Sequence, residues 1–246
     1  MNLVIDIGNS SSKIAIFENG EIIEHFTTEN LSIEMLVEIK LKNPALDKAI
    51  ISSVAKVDEA ILKYLQQHFA LFIKLNHKTP VPIENLYGTP ETLGLDRLAA
   101  AVGANFLFPS CNLLVIDAGT AITYDIVDLQ NRFLGGNISP GIYTRFRSLH
   151  HFTHQLPLVE KANDWPMIGK NTKEAIRSGV LNGIIFEMDG MIDQMKKEFA
   201  EIKTIVTGGS SFFFDKKLKN TIFVRFEITL IGLNRILEYN YNAKNK

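Results

Sequence analysis

Cysteine is almost absent from this 246-residue chain, which contains a single one, Cys111. One thiol cannot form an intramolecular disulfide framework or a cysteine-based metal cluster, so the composition fits a reducing compartment. We interpret Cys111 as a buried apolar residue just before a strand. No segment approaches the roughly 18 consecutive apolar residues of a membrane span, and no secretion signal is recognisable. The sequence therefore predicts a soluble, cytoplasmic protein.

The sequence also has no excess of positive or negative charge. The 26 Lys and Arg residues nearly balance 27 Asp and Glu residues, for a formal net charge of −1. Nucleic acids and anionic membranes are usually bound through strongly basic surfaces, so we expect neither as a partner. Any phosphate group that the protein handles must be held by a local site.

Four residues, Leu-Val-Ile-Asp, occur twice. Leu3–Asp6 is followed by IGNSSSKIAIF, and Leu114–Asp117 by AGTAITYDIVD. Each apolar run predicts a buried strand, and each polar turn leads into a second strand. A third strand follows in each copy, then alternating helices and strands, and Asn19-Gly20 is typical of a hairpin turn. We therefore predict two α/β domains, residues 1–112 and 113–246.

Both copies end their first strand with an aspartate, and a glycine follows two residues later, Gly8 or Gly119. A carboxylate beside a glycine that lets a ligand approach the backbone can hold a hydrated metal and phosphate oxygens. Neighbouring hydroxyl groups and one lysine can bind phosphate, namely Ser10, Ser11, Ser12, Lys13, Thr120 and Thr123. One Asp-x-Gly is usually ordinary turn chemistry, but two copies at equivalent positions favour a phosphate site.

These hairpins resemble the phosphate motifs of the actin, sugar-kinase and Hsp70 superfamily, and IVTGGS at 205–210 resembles its adenosine motif. P-loop and protein-kinase glycine motifs are absent from the sequence. The resemblance implies two duplicated RNase H-like (actin-like ATPase) domains with mixed sheets and an ATP cleft between them. It assigns to ATP binding the residues Asp6, Ile7, Gly8, Asn9, Ser10, Ser11, Ser12, Lys13, Thr120, Gly208 and Gly209.

Further segments resemble type III pantothenate kinase: YGTPETLGLDRLAAAVGA, DAGTAITYD, GGNISPG at 135–141 and GKNTKEAIRSGVLNG at 169–183. The resemblance runs from Asp6 to about Gly232. It implies ATP-dependent phosphorylation of pantothenate to 4′-phosphopantothenate, the first step of coenzyme A biosynthesis.

The same resemblance assigns Asp96 as the general base that receives the proton of the pantothenate hydroxyl. A carboxylate suits this role, because the proton leaves late in a loose phosphoryl transfer. Arg97 would bind the carboxylate of pantothenate, and Tyr87, Gly94 and Leu95 would line the same pocket. The plain alternatives are a first-turn helix acid for Asp96 and a solvated helix charge for Arg97.

Ions and a partner subunit are also implied by the resemblance. Asp117 matches a ligand of K⁺ or NH₄⁺, Thr120 matches an ATP contact, and Mg²⁺ would lie near Asp6, largely through water. Thr172 matches a pantothenate contact supplied across a homodimer interface, and it is also interpreted as a helix N-cap. Asp125 is a further acid that matches the family, with no role assigned.

Several features stay open between a structural and a functional interpretation. Ser10 stands where the family usually has threonine. The run Phe212–Phe214 either stacks on the base or packs in a helix core, and we favour the core. The histidines of HHFTH at 150–154 suggest a metal, but solvated side chains are favoured. Trp165 is interpreted as a loop anchor. An apolar face serves as core or subunit contact, formed by Ile184, Ile185, Met188, Met191, Ile192 and Met195.

Two other functions are compatible with this fold. One is a non-catalytic regulator, because the family has relatives known as accessory factors for transcription. Intact Asp-x-Gly hairpins and the Gly94–Arg97 sequence argue against it, since a binding module needs no acid aligned with an alcohol. The other is a superfamily kinase or phosphatase with a different substrate. In that case Arg97 still predicts an anionic substrate, and this excludes neutral sugars.

Overall fold

Two compact units make up residues 1–244, which a computed structural model describes. The first unit comprises Met1–Pro109, Asn131–Leu134 and the chain from Glu227 onward. The second comprises Ser110–Gln130 and Gly135–Phe226. The predicted domain boundary between residues 112 and 113 concerns the sequence repeat, and it stays a prediction.

The first unit begins with the predicted meander of three strands. Its elements are β1 (Asn2–Ile7), β2 (Ser12–Glu18), β3 (Glu21–Thr28), α1 (Ile33–Lys42), β4 (Lys48–Ser53), α2 (Glu59–His68), β5 (Leu71–Lys74), β6 (Glu84–Asn85), α3 (Leu95–Leu107) and α7 (Ile228–Lys244). Asn19 and Gly20 have φ angles of 52° and 87°. These left-handed conformations are those of a tight hairpin turn, so the predicted turn is confirmed.

A mixed sheet organises this unit in the order β3-β2-β1-β4-β5. β1 pairs antiparallel with β2 and parallel with β4. Leu3 and Ile5 of β1 and Ile51 of β4 pack into one core with α1 and α2. Because side chains alternate along a strand, Asp6 projects from the opposite face.

The second unit repeats this plan. Its elements are β7 (Leu113–Ala118), β8 (Ala121–Val127), β9 (Arg132–Pro140) from Gly135 onward, α4 (Ile142–Phe152), α5 (Thr172–Glu198), β10 (Lys203–Thr207), α6 (Ser211–Phe214) and β11 (Phe223–Val224). The strand order is β11-β10-β7-β8-β9, with β7 antiparallel to β8 and parallel to β10. β7 thus occupies the place that β1 has in the first sheet. The predicted duplication with mixed sheets is confirmed.

Two details of the fold depend on contacts between residues that are distant in the sequence. β6 pairs in parallel with Arg132 and Phe133 at the start of β9, within the first unit. The helix α6, which contains the aromatic run Phe212–Phe214, ends at Phe214. Lys216 has a φ of 62°, and the carboxylate of Asp189 accepts the amide hydrogens of Lys219 and Asn220 at 3.1 and 3.2 Å. These bonds draw the chain out of the helix.

The last helix, α7, packs closely on α3 of the first unit. A methyl group built on Gly103 would lie 2.9 Å from the amide nitrogen of Gly232, and one built on Gly232 would lie 2.8 Å from that of Gly103. Glycine at both positions therefore lets the two backbones touch. α3 carries the Gly94–Arg97 segment at its first turn, so this contact fixes the helix that positions it.

Candidate active site

The hairpin between β1 and β2 presents the first predicted phosphate motif. The amide of Gly8 donates to the carbonyl of Ser11 at 3.0 Å, which closes the turn. Asn9 and Ser10 at its tip are exposed, whereas Asp6 is buried. The hairpin register places Asp6 opposite Lys13. The turn thus offers exposed polar groups above a buried carboxylate.

The hairpin between β7 and β8 is similar, with a turn one residue shorter. The amide of Gly119 donates to the carbonyl of Ala121 at 2.9 Å. Asp117 is half-buried, Thr120 is exposed, and the register places Asp117 opposite Thr123. Thr123 Oγ1 is buried without a hydrogen-bond partner among the described residues. An unsatisfied hydroxyl beside a carboxylate fits an oxygen-ligated cation.

The start of α4 holds this second turn in place. The carbonyl of Thr120 accepts the amide hydrogen of Gly141 at 3.0 Å and the hydroxyl hydrogen of Thr144 at 2.6 Å. A methyl group on Gly141 would come within 2.7 Å of that carbonyl oxygen, and one on Gly136 within 2.6 Å of Asp125 Oδ1. The GGNISPG segment therefore packs against the hairpin, which explains its glycines.

The two glycines after β10 have different surroundings. Gly208 is buried with a φ of 89°, and a methyl group built on it would contact the carboxylate of Asp117 and lie 2.8 Å from the amide nitrogen of Ala118. Gly209 is exposed, and a methyl group there would meet nothing within 4 Å. The structure thus joins the Gly208-Gly209 motif to Asp117, and it leaves open space at Gly209.

The first turn of α3 carries three of the predicted substrate residues, Leu95, Asp96 and Arg97. Asp96 Oδ1 accepts the backbone amide hydrogen of Arg97 at 2.8 Å, as a first-turn helix acid does. The Arg97 side chain is only 6% exposed, and its guanidinium lies 5.6 Å from the ring centre of Tyr87. The alternative of a solvated helix charge for Arg97 is therefore wrong. Gly94 is the N-cap, where a methyl group would lie 2.5 Å from Asp96 Oδ1.

Thr172 begins α5 but does not cap it. The N-cap is Asn171, whose side-chain oxygen accepts the amide hydrogen of Glu174 at 3.0 Å. The N-cap interpretation of Thr172 is wrong, because the amide side chain one residue earlier takes that role. Thr172 is exposed, close along the helix to a groove of about 470 Å³ between α4 and α5. The groove is lined by Pro140, Arg145, Ser148, Leu149, Ala175, Ile176, Gly179 and Val180.

Comparison with known proteins identifies the family. The profile of type III pantothenate kinase matches residues 2–194 of this chain. The chain belongs to the type III pantothenate kinase family. It is 48% identical over 240 residues to the type III pantothenate kinase of Phocaeicola vulgatus, which covers 98% of this chain and 99% of that protein.

Solved structures agree with the fold. A Campylobacter jejuni protein, named as a Baf family transcriptional activator, is 25% identical with a TM-score of 0.62, over 98% of this chain and 99% of that one. Component A of (R)-2-hydroxyglutaryl-CoA dehydratase from Acidaminococcus fermentans is 13% identical with a TM-score of 0.53, over 100% and 99%. The second likeness concerns the fold alone, a duplicated RNase H-like, actin-like ATPase architecture.

Membership in the type III pantothenate kinase family makes the chain an enzyme. It is a kinase of coenzyme A biosynthesis that uses ATP and transfers a phosphoryl group to an alcohol. Among the helices of residues 1–244, none is long and apolar enough to cross a membrane.

One polar network of this kinase was not recognised in the sequence. Tyr124 donates its hydroxyl hydrogen to Glu187 at 2.7 Å, and Arg145 binds the other oxygen of Glu187 at 2.5 Å. Burial, and then the hydrogen bond to Glu187, raise the pKa of Tyr124 far above its ordinary value. Burial would also raise the pKa of Glu187, but hydrogen bonds from Arg145, Tyr124 and Ser139 lower it overall. No local pattern signals this network, because Tyr124 and Glu187 are 63 residues apart.

The aromatic residues after the glycine pair divide between core and surface. Phe213 and Phe214 are buried, as favoured, but Phe212 is 65% exposed. Trp165 stacks on Phe213 with ring centres 5.7 Å apart and donates to Asn182 at 2.8 Å, which confirms it as a loop anchor.

Three further sequence-based predictions concern Cys111, the apolar face of α5 and the histidines of HHFTH. Cys111 is partly exposed rather than buried, because it lies in the turn that leads into β7. The apolar face of α5 packs into the core of the second unit. Within residues 1–244, no three His, Cys, Asp or Glu side chains are grouped so that they could hold a metal ion. His150 contacts the carbonyl of Leu156 at 2.8 Å.

Proposed function

We propose that this kinase transfers the γ-phosphoryl group of ATP to the hydroxyl of pantothenate, with Asp96 as general base and Arg97 as the ligand of the substrate carboxylate. The start of α3 carries this proposal. There, a half-buried carboxylate lies directly beside an almost fully buried guanidinium in the first turn of one rigid helix. That pairing suits a substrate with an alcohol at one end and an anion at the other.

Asp96 is suited to accept a proton from an alcohol. The amide of Arg97 hydrogen-bonds Oδ1, which holds the carboxylate in one orientation, and a carboxylate has a second oxygen for the substrate. In a loose phosphoryl transfer the nucleophile loses its proton late, so the base mainly orients the hydroxyl and receives the proton at the end. Gly94 has no side chain that would block this carboxylate.

Arg97 provides substrate selection. Its planar guanidinium can bind a carboxylate with two parallel hydrogen bonds, which a lysine cannot reproduce. The ring of Tyr87 packs beside the guanidinium and restricts its position. We infer that Tyr87, Gly94 and Leu95 line the pantothenate pocket. A neutral sugar has no carboxylate to accept these paired hydrogen bonds, so we expect the site to select an anionic substrate instead.

Each hairpin is proposed to bind part of the nucleotide. The amide and hydroxyl groups of Asn9, Ser10 and Ser11 would contact phosphate oxygens, and Thr120 is proposed as a further ATP contact. Mg²⁺ keeps most of its waters in such sites, so Asp6 alone suffices as its nearby carboxylate. K⁺ or NH₄⁺ would be held at Asp117, where the unpartnered hydroxyl of Thr123 supplies an oxygen. The bound cations supply positive charge that offsets the phosphates.

The adenosine end is assigned to Gly208 and Gly209. The open space around Gly209 supports the approach of a nucleoside to the backbone there. Ile7, Gly8, Ser12 and Lys13 complete the proposed ATP site in the first hairpin. We infer a cytoplasmic enzyme, since ATP and coenzyme A precursors are used there.

A homodimer is proposed, with Thr172 of one subunit contacting pantothenate bound to the other. Thr172 is exposed, and it is not occupied with capping its own helix. The adjacent groove between α4 and α5 is lined largely by apolar residues, and Tyr143 on α4 is 50% exposed. Such a surface fits a contact between two copies of the chain.

An ADP-release assay tests the proposal. We expect turnover with pantothenate, ATP and Mg²⁺ in K⁺ or NH₄⁺ buffer, little turnover in Na⁺ buffer, and none with a panel of neutral sugars. Equal rates in K⁺ and Na⁺ would remove the cation role from Asp117. Nucleotide binding without ADP release for any substrate would instead support the non-catalytic regulator. Release that requires a different anionic substrate would leave only the general kinase assignment.

A further inference from the structure

The buried side-chain hydroxyl of Ser52 has no hydrogen-bond partner among the described residues. Its side chain is 1% exposed, and Oγ has no partner among residues 1–244. A buried polar group without a partner costs on the order of 1–3 kcal/mol, so native proteins rarely leave one unexplained. The position of Ser52 offers an explanation.

The sheet register places Ser52 beside Asp6. β1 and β4 run parallel, with Asp6 paired to Ser52, so both side chains project from the same face at the carboxyl ends of the strands. On its other side, Asp6 is paired with Lys13 of β2. Ligands of open α/β sheets bind outside the carboxyl ends of the strands. Ser52 therefore belongs to the same edge as the first phosphate hairpin.

The second unit supplies an internal comparison. Asp117 is paired in the same way with Thr207 of β10, and Thr207 is also fully buried. Its hydroxyl, however, donates to the carbonyl of Phe226 at 3.4 Å. The equivalent hydroxyl is thus satisfied by protein in the second unit and unsatisfied in the first. Burial beside an aspartate at this position does not by itself leave a hydroxyl unpaired.

We propose that Ser52 is a further ligand-binding residue, whose hydroxyl donates a hydrogen bond to an oxygen of the magnesium–nucleotide held next to Asp6. This inference rests on the proposed nucleotide site in the first unit. The acceptor is either a water of the Mg²⁺ hydration shell or a phosphate oxygen. Both present the same chemistry to a hydroxyl donor.

Calorimetric titration of the full-length protein with ADP tests the inference. Ser52→Ala is expected to weaken ADP binding in MgCl₂ roughly 3- to 10-fold, the effect of one hydrogen bond. If the acceptor is a water bound to Mg²⁺, the difference disappears in EDTA; if it is a phosphate oxygen, the difference persists. Either result supports a ligand role.

Stability without ligand is the second measurement. Because Ser52 has no partner to lose, Ser52→Ala is expected to keep or raise the thermal midpoint of the free protein. Thr204→Val is the matched control, because Thr204 Oγ1 is also buried and unpartnered but lies at the start of β10, three residues before Thr207. This control is expected to bind ADP like the wild type.

Two results would overturn the inference. One is wild-type ADP affinity of Ser52→Ala in both buffers, and the other is a lower midpoint of the free variant, which would reveal a protein partner. Calorimetry does not depend on phosphorylation of pantothenate. If the wild type released no ADP, the proposed reaction would be wrong, but the ADP affinities of Ser52→Ala and the wild type could still be compared.

Discussion

Gly208 packs directly against the carboxylate of Asp117, in a left-handed backbone conformation that an L side chain rarely adopts. The contact links the proposed adenosine motif to the proposed cation ligand in the second unit. Gly208→Ala would both strain the backbone and push on Asp117 and Ala118. We expect the thermal midpoint to fall by roughly 2–12 °C, from about 1–3 kcal/mol of strain and displacement, together with weakened nucleotide binding.

Gly209→Ala is the matched control for this effect. Its added methyl group meets no atom within 4 Å, and Gly209 does not have a positive φ. We expect an unchanged midpoint but weaker ATP binding, because the methyl group would occupy the space assigned to the nucleoside. Wild-type ATP affinity in Gly209→Ala would show that the nucleoside does not approach this glycine.

Asp96→Asn tests the general base. The amide oxygen of asparagine can still accept the backbone hydrogen of Arg97, so we expect the fold and the midpoint to be kept. The variant cannot accept a proton from pantothenate, and kcat is expected to fall at least about 100-fold. Asp58→Asn is the control, since Asp58 also accepts a first-turn amide hydrogen, at the start of α2. Comparable kcat values for both variants would contradict the base role.

Arg97→Lys tests recognition of the substrate carboxylate. The charge is kept, but the paired hydrogen bonds of the guanidinium and its packing on Tyr87 are lost. We expect KM for pantothenate to rise roughly 10- to 100-fold while KM for ATP is unchanged. Pantetheine, which lacks the carboxylate, is expected to show no such rise. Arg177→Lys on α5 controls for the general effect of the exchange, and an equal rise of both KM values in Arg97→Lys would contradict the assignment.

The repeated strands could be predicted from the sequence because their signals are local. Leu-Val-Ile-Asp and the polar turn after it lie within a few residues, and the same turn chemistry recurs at Gly119. The continuous apolar runs of β1 and β7 predict strands that are buried on both faces, and the structure shows this burial. The roles proposed for Asp96 and Arg97 come from the family resemblance, because the spacing of residues in the sequence does not indicate them.

Contacts between distant residues could not be predicted in this way. Ser52 lies beside Asp6 only because β4 pairs with β1, and strand pairing is not encoded in either strand alone. The packing of Gly232 on Gly103 joins residues that are 232 − 103 = 129 positions apart in the chain. The N-cap at Asn171 shows a local limit as well, because asparagine and threonine are both good caps and the choice depends on one residue of register.

Glu187 gives the second unit a pH-dependent contribution to stability. Hydrogen bonds from Arg145, Tyr124 and Ser139 outweigh burial and lower its pKa below the ordinary 4.5. The unfolded chain therefore binds more protons in acid, so stability is full above pH 4.5 and is lost as the pH falls through the lower folded pKa. We expect urea midpoints of the wild type to fall over this range and those of Glu187→Gln to fall less. The prediction would be contradicted if the urea midpoints of the wild type and Glu187→Gln fell equally with decreasing pH.

The contact between α3 and α7 makes Gly232 essential for packing. A methyl group at this position would lie 2.7 Å from the carbonyl carbon of Ala99 and 2.8 Å from the amide nitrogen of Gly103, so the two backbones would have to separate. We expect Gly232→Ala to lower the free energy of unfolding by about 1–3 kcal/mol, measured by urea denaturation.

Gly190→Ala, also within a helix, is expected to change the free energy of unfolding in the opposite direction. Gly190 is exposed on α5, and a methyl group there meets no atom within 4 Å. Alanine restricts the unfolded chain and favours the helix, so stability is expected to rise by up to about 1 kcal/mol. A similar sign for both variants would show that helix propensity, and not backbone contact, decides the effect at Gly232. Opposite signs would support the close approach of the α3 and α7 backbones as the cause of the loss in Gly232→Ala.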